Sequence, residues 1–123
     1  MAAGDIKGDE AVVMMITPGE TVTKGQVLDS SANGKFYVGA LNATGKFVVA
    51  IEAMVADTDA RAVAFGRVEV TATAAAIYAG QKVEAGAAGA VALAAFGAAY
   101  EVVGVAMEDI GTSETGTVWV GMA

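Results

Sequence analysis

The chain has 123 residues, a length typical of one domain that buries somewhat over ~60% of its unfolded surface. Hydrophobic residues make up 55% of it, but many are alanine and 16 positions are glycine, so the side chains available for packing are small. The absence of cysteine rules out disulfides, thiol redox chemistry and thiolate metal sites; the absence of histidine removes the commonest neutral-pH base and metal ligand; and a net charge of −7 argues against binding a phosphate backbone.

Residues 1–11 lack hydrophobic periodicity and carry small or charged side chains, so they read as a flexible N-terminal arm that orders only against a partner. With Asp5 and Asp9 inside the first nine positions, the segment does not look like a signal peptide. The β domain is expected to begin at residue 12, with the apolar run Val12, Val13, Met14, Met15 and Ile16. Asn33-Gly34 and Thr44-Gly45 then punctuate apolar stretches where a positive φ would close a hairpin. The alanine-rich stretch 72–79 is expected to hold at most a short helix. The longest uncharged run, residues 85–100, is broken by Gly86, Gly89 and Gly97 and is too short to span a membrane. Near the end, residues 101–107 and 117–122 read as the two strands of a hairpin.

A similar order is visible earlier. Val48-Val49-Ala50-Ile51 matches Val102-Val103-Gly104-Val105, Ala53-Met54 matches Ala106-Met107, and Val63-Ala64-Phe65-Gly66 matches Val118-Trp119-Val120-Gly121. The glycine turn repeats as well, with Ile16, Gly19, Val22 and Gly25 set against Ile77, Gly80, Val83 and Gly86. The expectation is an all-β, barrel-like or sandwich domain over residues 12–123, built from two similar halves at 12–70 and 73–122.

Residues 51–57 (IEAMVAD) and 18–28 (PGETVTKGQVL) resemble the attachment motif and glycine turn of biotinyl and lipoyl domains, which implies a carrier or ligand-binding β-module as the alternative function. A carrier needs an acylatable lysine, and the position after Met54 is Val55; a covalent adduct on Lys35 or Lys46 would favour that reading. Asp57 and Asp59 begin like a calcium loop, without its later glycine and glutamate, and read as a solvated turn. Glu108 and Asp109 are paired carboxylates in the matching loop of the second half, and read as acidic loop tips. Ser30, Ser31 and Ser113 have neither a nucleophile-elbow context nor a histidine base, and Gly45-Lys46 runs into Phe47 rather than completing a phosphate loop. Phe36, Phe47, Phe65 and Trp119 fall in apparent strands and read as core. Arg61 and Arg67, the only arginines, are equally candidates for salt bridges at an oligomer contact and for simply solubilising an edge strand.

The Ala/Gly/Val/Thr-rich composition, the turn AGQKVEAGAAGAV and the ending EVVGVAMEDIGTSETGTVWVGMA resemble the small capsid decoration, or cement, proteins of tailed bacteriophages and related viruses. The resemblance covers most of residues 11–122 and implies a non-enzymatic virion protein without cofactor or bound metal. Such a protein is made in the host cytoplasm, binds the outer surface of the assembled capsid as a homo-trimer, and clamps neighbouring major capsid subunits, with neither nucleic acid nor membrane as a direct partner. Asp5, Ile6, Lys7, Val12, Val13 and Met14 are then the expected capsid-binding residues.

Overall fold

Valine-rich runs separated by glycine turns become short antiparallel strands, because β-branched side chains suit a pleated surface and glycine supplies the positive φ of the turns. The computed structural model describes residues 2–30, 34–39, 46–73, 75–94 and 102–121, apart from the side chains of Gly8, Asp9 and Glu10. The strands are β1 (Ile6–Ile16), β2 (Val27–Ser30), β3 (Phe36–Val38), β4 (Phe47–Ala50), β5 (Ala60–Thr71), β6 (Lys82–Ala85), β7 (Val91–Leu93), β8 (Val102–Ala106) and β9 (Thr115–Val120). The expectations placed on Ser31, Asn33, Thr44, Gly45, Gly97, Tyr100, Glu101 and Met122 lie outside the described residues.

The strands form one curled antiparallel sheet in the order β3-β2-β4-β5-β9-β8-β6-β7, and β1 pairs with β5. Ala62 and Val63 of β5 pair with β1 and with β4, while Arg67 and Val68 pair with β1 and with β9. The long strand therefore carries β1 along one edge and β4, then β9, along the other. Isolated bridges join Pro18 to Phe36 and Ala72 to Val91, curling each half toward closure.

Individual hydrogen bonds recur between the two parts of the sheet, in a register other than the one read from residue identities. Val22 bridges Met54 as Ile77 bridges Ile110. The Gly25 amide donates to the Ala50 carbonyl as the Gly80 amide donates to Ala106, both at 2.8 Å. Gly25 is thus matched by Gly80 and Met54 by Ile110, whereas the sequence comparison set Gly25 against Gly86 and Met54 against Met107. The physical reason is burial. Met54 is 2% exposed and Met107 is 46% exposed, so two identical residues occupy different environments. Gly25 and Gly80 share φ values of +93° and +87°, and each is followed by a glutamine that folds back on the turn. The two units share β5: its first part ends the first unit, and its last part, opposite β9, begins the second.

The described residues of 72–79 do not make a helical turn; Ala72 and Ile77 lie extended in bridges, because both side chains are buried in the core. A 3-10 turn occurs instead at Ala87–Gly89. The expected arm is also corrected from residue 6 onward. Ile6 to Ile16 is one strand, so the boundary placed between 11 and 12 falls inside β1. Backbone hydrogen bonds hold its start: Gly4 donates to the Glu69 carbonyl (2.7 Å), and Glu69 donates to Asp5 (3.0 Å). Such ladder bonds leave no trace in side-chain periodicity.

Two buried clusters fill the fold. One holds Ile16, Val22, Leu28, Val48, Ala50, Met54, Ala60 and Ala62, the interior of the first unit. The larger contains the second unit's counterparts, among them Ile77, Val83, Ala106, Ile110 and Val118, together with side chains between the units such as Val27, Phe47 and Val49. Strand β4 is buried at every position and alternates between the two clusters, as the two-residue period of a strand requires.

Candidate attachment surface

Four consecutive large apolar residues of β1 face solvent: Val12 (53% exposed), Val13 (41%), Met14 (37%) and Met15 (59%). Side chains of a strand alternate between its faces, so exposure at all four means that both faces are bare here. Along one edge these residues pair with β5, Val13 opposite Val63, Met14 opposite Ala62 and Met15 opposite Arg61. No strand among the described residues pairs with the other edge. An apolar edge strand without charge or proline is normally avoided, because it is a template for another strand.

The sequence-derived candidates separate into two groups. Val12, Val13 and Met14 stand exposed, and Met15 joins them. Asp5, Ile6 and Lys7 are engaged within the molecule. The Asp5 carboxylate accepts from Lys24 Nζ at 2.7 Å and from the Ala2 amide at 2.9 Å. Ile6 packs against the larger core cluster, and Lys7 lies opposite Arg67. Arg61 and Arg67 are occupied as well: Arg61 Nε lies 3.3 Å from Glu52 Oε2, and the Arg67 guanidinium sits 5.7 Å from the centroid of the Trp119 ring. That ring meets Phe65 edge-on at 5.8 Å between centroids. Phe47 is core as expected, in the larger cluster, and Phe36 packs partly buried against the smaller one, whereas Phe65 is 38% exposed beside Val12.

The acidic loops clamp strands. Glu108 Oε2 accepts from the Thr117 amide at 2.9 Å, and its counterpart Glu52 accepts from the Arg61 amide at 2.8 Å. Asp109 accepts from the Ala79 amide, Asp59 from the Thr17 hydroxyl, and Asp57 pairs with Lys35 Nζ at 2.7 Å. Among the described residues no cluster of three metal-ligating side chains occurs. The Asp57 carboxylate bonded to Lys35 raises that amine's pKa, and Val55 stands exposed with no amine to acylate.

Three carboxyls lie below their ordinary range: Asp5 through the Lys24 ammonium and the Ala2 amide, Glu52 through the Arg61 amide and guanidinium, and Glu108 chiefly through the Thr117 amide. A carboxyl whose folded pKa is depressed adds stability above its unfolded value, about 4, and that contribution vanishes as pH falls through the folded pKa. The urea midpoint is accordingly expected to hold steady from about pH 7 to 5 and to drop below about pH 4. Urea titrations across that range, with Glu52→Gln and Glu108→Gln flattening the acid limb, check it.

No family model matches the chain, and no curated protein matches its sequence. Its fold is similar to that of the N base of head fiber gp8.5 in bacteriophage phi29, with a TM-score of 0.63 at 16% sequence identity. The match covers 90% of this chain and 94% of that one, so both units and the shared long strand take part in a likeness of fold.

Proposed function

We propose that this chain is a structural protein of a phage virion, bound to the outer surface of the assembled capsid, where it stabilises contacts between major capsid subunits. The observation that carries the reading is the likeness of fold to a phage head fiber base over nearly the whole of both chains. The composition agrees with it: a chain without histidine or cysteine and with a net charge of −7 suits a part displayed at high copy number, whose like-charged copies resist nonspecific association. Contact with neighbouring virion subunits is assigned to the exposed apolar strand at residues 12–15, while Asp5, Ile6 and Lys7 contribute by holding that strand on the domain. A threefold arrangement on the shell rests on the sequence resemblance, and attachment of an oligomer would multiply weak contacts through effective concentration.

Purified particles of the encoding phage test the reading. Mass spectrometry is expected to find the chain in intact particles, and antibodies raised against it to decorate their outside. Particles lacking it are expected to release DNA at a lower temperature. Its absence from particles, or antibody access only after disruption, would overturn the assignment.

A further inference from the structure

The two units treat equivalent strand edges differently. In the second unit the first strand is the end of β5, residues 67–71, and the start of the chain lies along its outer edge. Gly4 and Asp5 exchange backbone hydrogen bonds with Glu69, while Ile6 and Lys7 lie opposite Val68 and Arg67. In the first unit the corresponding strand is residues 12–16 of β1. Met14 opposes Ala62 as Val68 opposes Val118, and Met15 opposes Arg61 as Glu69 opposes Thr117. Met15 therefore occupies the place of Glu69, yet nothing among the described residues pairs with its outward side.

The geometry of the edge specifies its occupant. The Arg61 carbonyl accepts from Ile51 on the β4 side, so Arg61 turns its polar backbone groups away from β1, and Met15 opposite turns its own outward. By alternation Val13 does the same and Met14 faces β5. The occupant must be extended and, as in the second unit, antiparallel to the strand that it covers. It must also be apolar on both faces to meet Val12, Val13, Met14 and Met15. Residues 4–7 are already placed in the second unit, and no other described segment of the chain lies along this edge. Strand β1 itself meets every requirement, and the stretch from Val12 to Ile16 carries no charge that would bring two acidic chains into conflict.

We propose that a second copy of this chain fills the edge: two β1 strands pair antiparallel about a two-fold axis at Met14, joining the two sheets. Val13 of each copy exchanges backbone hydrogen bonds with Met15 of the other, and the Met14 side chains meet on the axis. One isologous contact satisfies both open edges and closes the assembly. The proposal rests on the edge and not on the capsid reading; it gives this strand a second copy as its partner and puts a two-fold pair in place of the homo-trimer that the sequence resemblance implies.

The chain has no cysteine, so single cysteines report the register. Full-length Met14→Cys, oxidised in solution, is expected to give a disulfide-linked dimer as its main product. Directly opposed residues of a non-hydrogen-bonded antiparallel pair have Cα atoms about 4.5 Å apart, inside the disulfide range of about 4.4–6.8 Å. Val13→Cys and Met15→Cys are expected to stay largely unlinked, since each faces the other residue and not itself. Light scattering is expected to give the wild type twice the chain mass. Met15→Pro, which removes an outward amide, is expected to halve that mass, with circular dichroism reporting whether the strand content is kept. A wild type of one or three chain masses, equal linking at all three positions, or linking of Met14→Cys to a capsid subunit instead of to itself would overturn the proposal. Loss of capsid binding by an intact dimer would sink the attachment reading alone.

Discussion

Gly104→Val is expected to destabilise the second unit strongly. Gly104 of β8 pairs with Val83 and with Val120, and a Cβ built there would press into the carbonyl oxygen of Trp119, with the Val120 Cα only 3.1 Å away. These are backbone atoms of the neighbouring strand β9, so no rotamer change relieves the clash; the strands must separate and lose ladder bonds between β8 and β9. Overpacking typically costs about 1–3 kcal/mol and occasionally more. With a backbone obstacle the expectation is about 3 kcal/mol or more, a large part of the margin of about 5–15 kcal/mol for a domain. The counterpart in the first unit makes the point sharper. Val83 pairs with Gly104 as Leu28 pairs with Val48, and Val48 is fully buried in the first unit's core. A valine is thus accommodated in one unit and excluded from the other by the approach of β9. Thermal melts followed by circular dichroism check this: Gly104→Val should fall by about 10 °C or more, while Gly34→Asn, at an open turn position with φ +70°, should melt close to the wild type. Equal melting of all three proteins would refute the close-approach argument.

The all-β class and the two-fold repetition of the chain were legible in its sequence because they depend on local chemistry. Valine runs, glycine turns and the hairpin formed by β8 and β9 each declare themselves within a few residues. The register between the halves was less legible because it is fixed by burial. Matching methionine to methionine set buried Met54 against exposed Met107 and missed Ile110, the residue that fills the same place in the core. Gly25 and Gly80, each followed by glutamine, did carry a usable signal, since both turn glutamines accept a hydrogen bond from an amide three residues before them. At the candidate surface, the apolar run at Val12, Val13 and Met14 was visible as a run, but nothing in its composition tells a core strand from a bare edge. That distinction is tertiary: β5 is wide enough in partners to bury Val68 and Val70, whereas β1 has β5 on one side only. For Arg61 and Arg67 the sequence leaves a partner contact and a solvated edge strand equally open, because Glu52 and the Trp119 ring, which they meet, come from segments that are close only in the folded chain.

Deleting residues 1–7 is expected to destabilise the domain rather than simply to remove a tether. The deletion takes away two backbone hydrogen bonds to Glu69 and the packing of Ile6 on the larger core cluster. At about 1 kcal/mol for each bond and a similar amount for a half-buried isoleucine, the loss is about 3 kcal/mol. The exposed Lys24–Asp5 ion pair adds little. The effect has a location. Glu69 is a buried carboxylate whose Oε2 accepts from the Thr117 hydroxyl, and the departing segment uncovers its strand edge to water. Hydrogen exchange at the Glu69 amide is therefore expected to accelerate far more than exchange in β2 or β4, together with a lower urea midpoint. Unchanged exchange and an unchanged midpoint would mean that these residues behave as a free arm after all. It follows that truncating the N-terminus cannot by itself report on attachment: it alters the second unit while leaving Val12, Val13, Met14 and Met15 in the chain. Substitutions at Val13 and Met15, which are exposed and outside both core clusters, change the apolar edge with little cost to folding, and only they separate a loss of contact from a loss of structure.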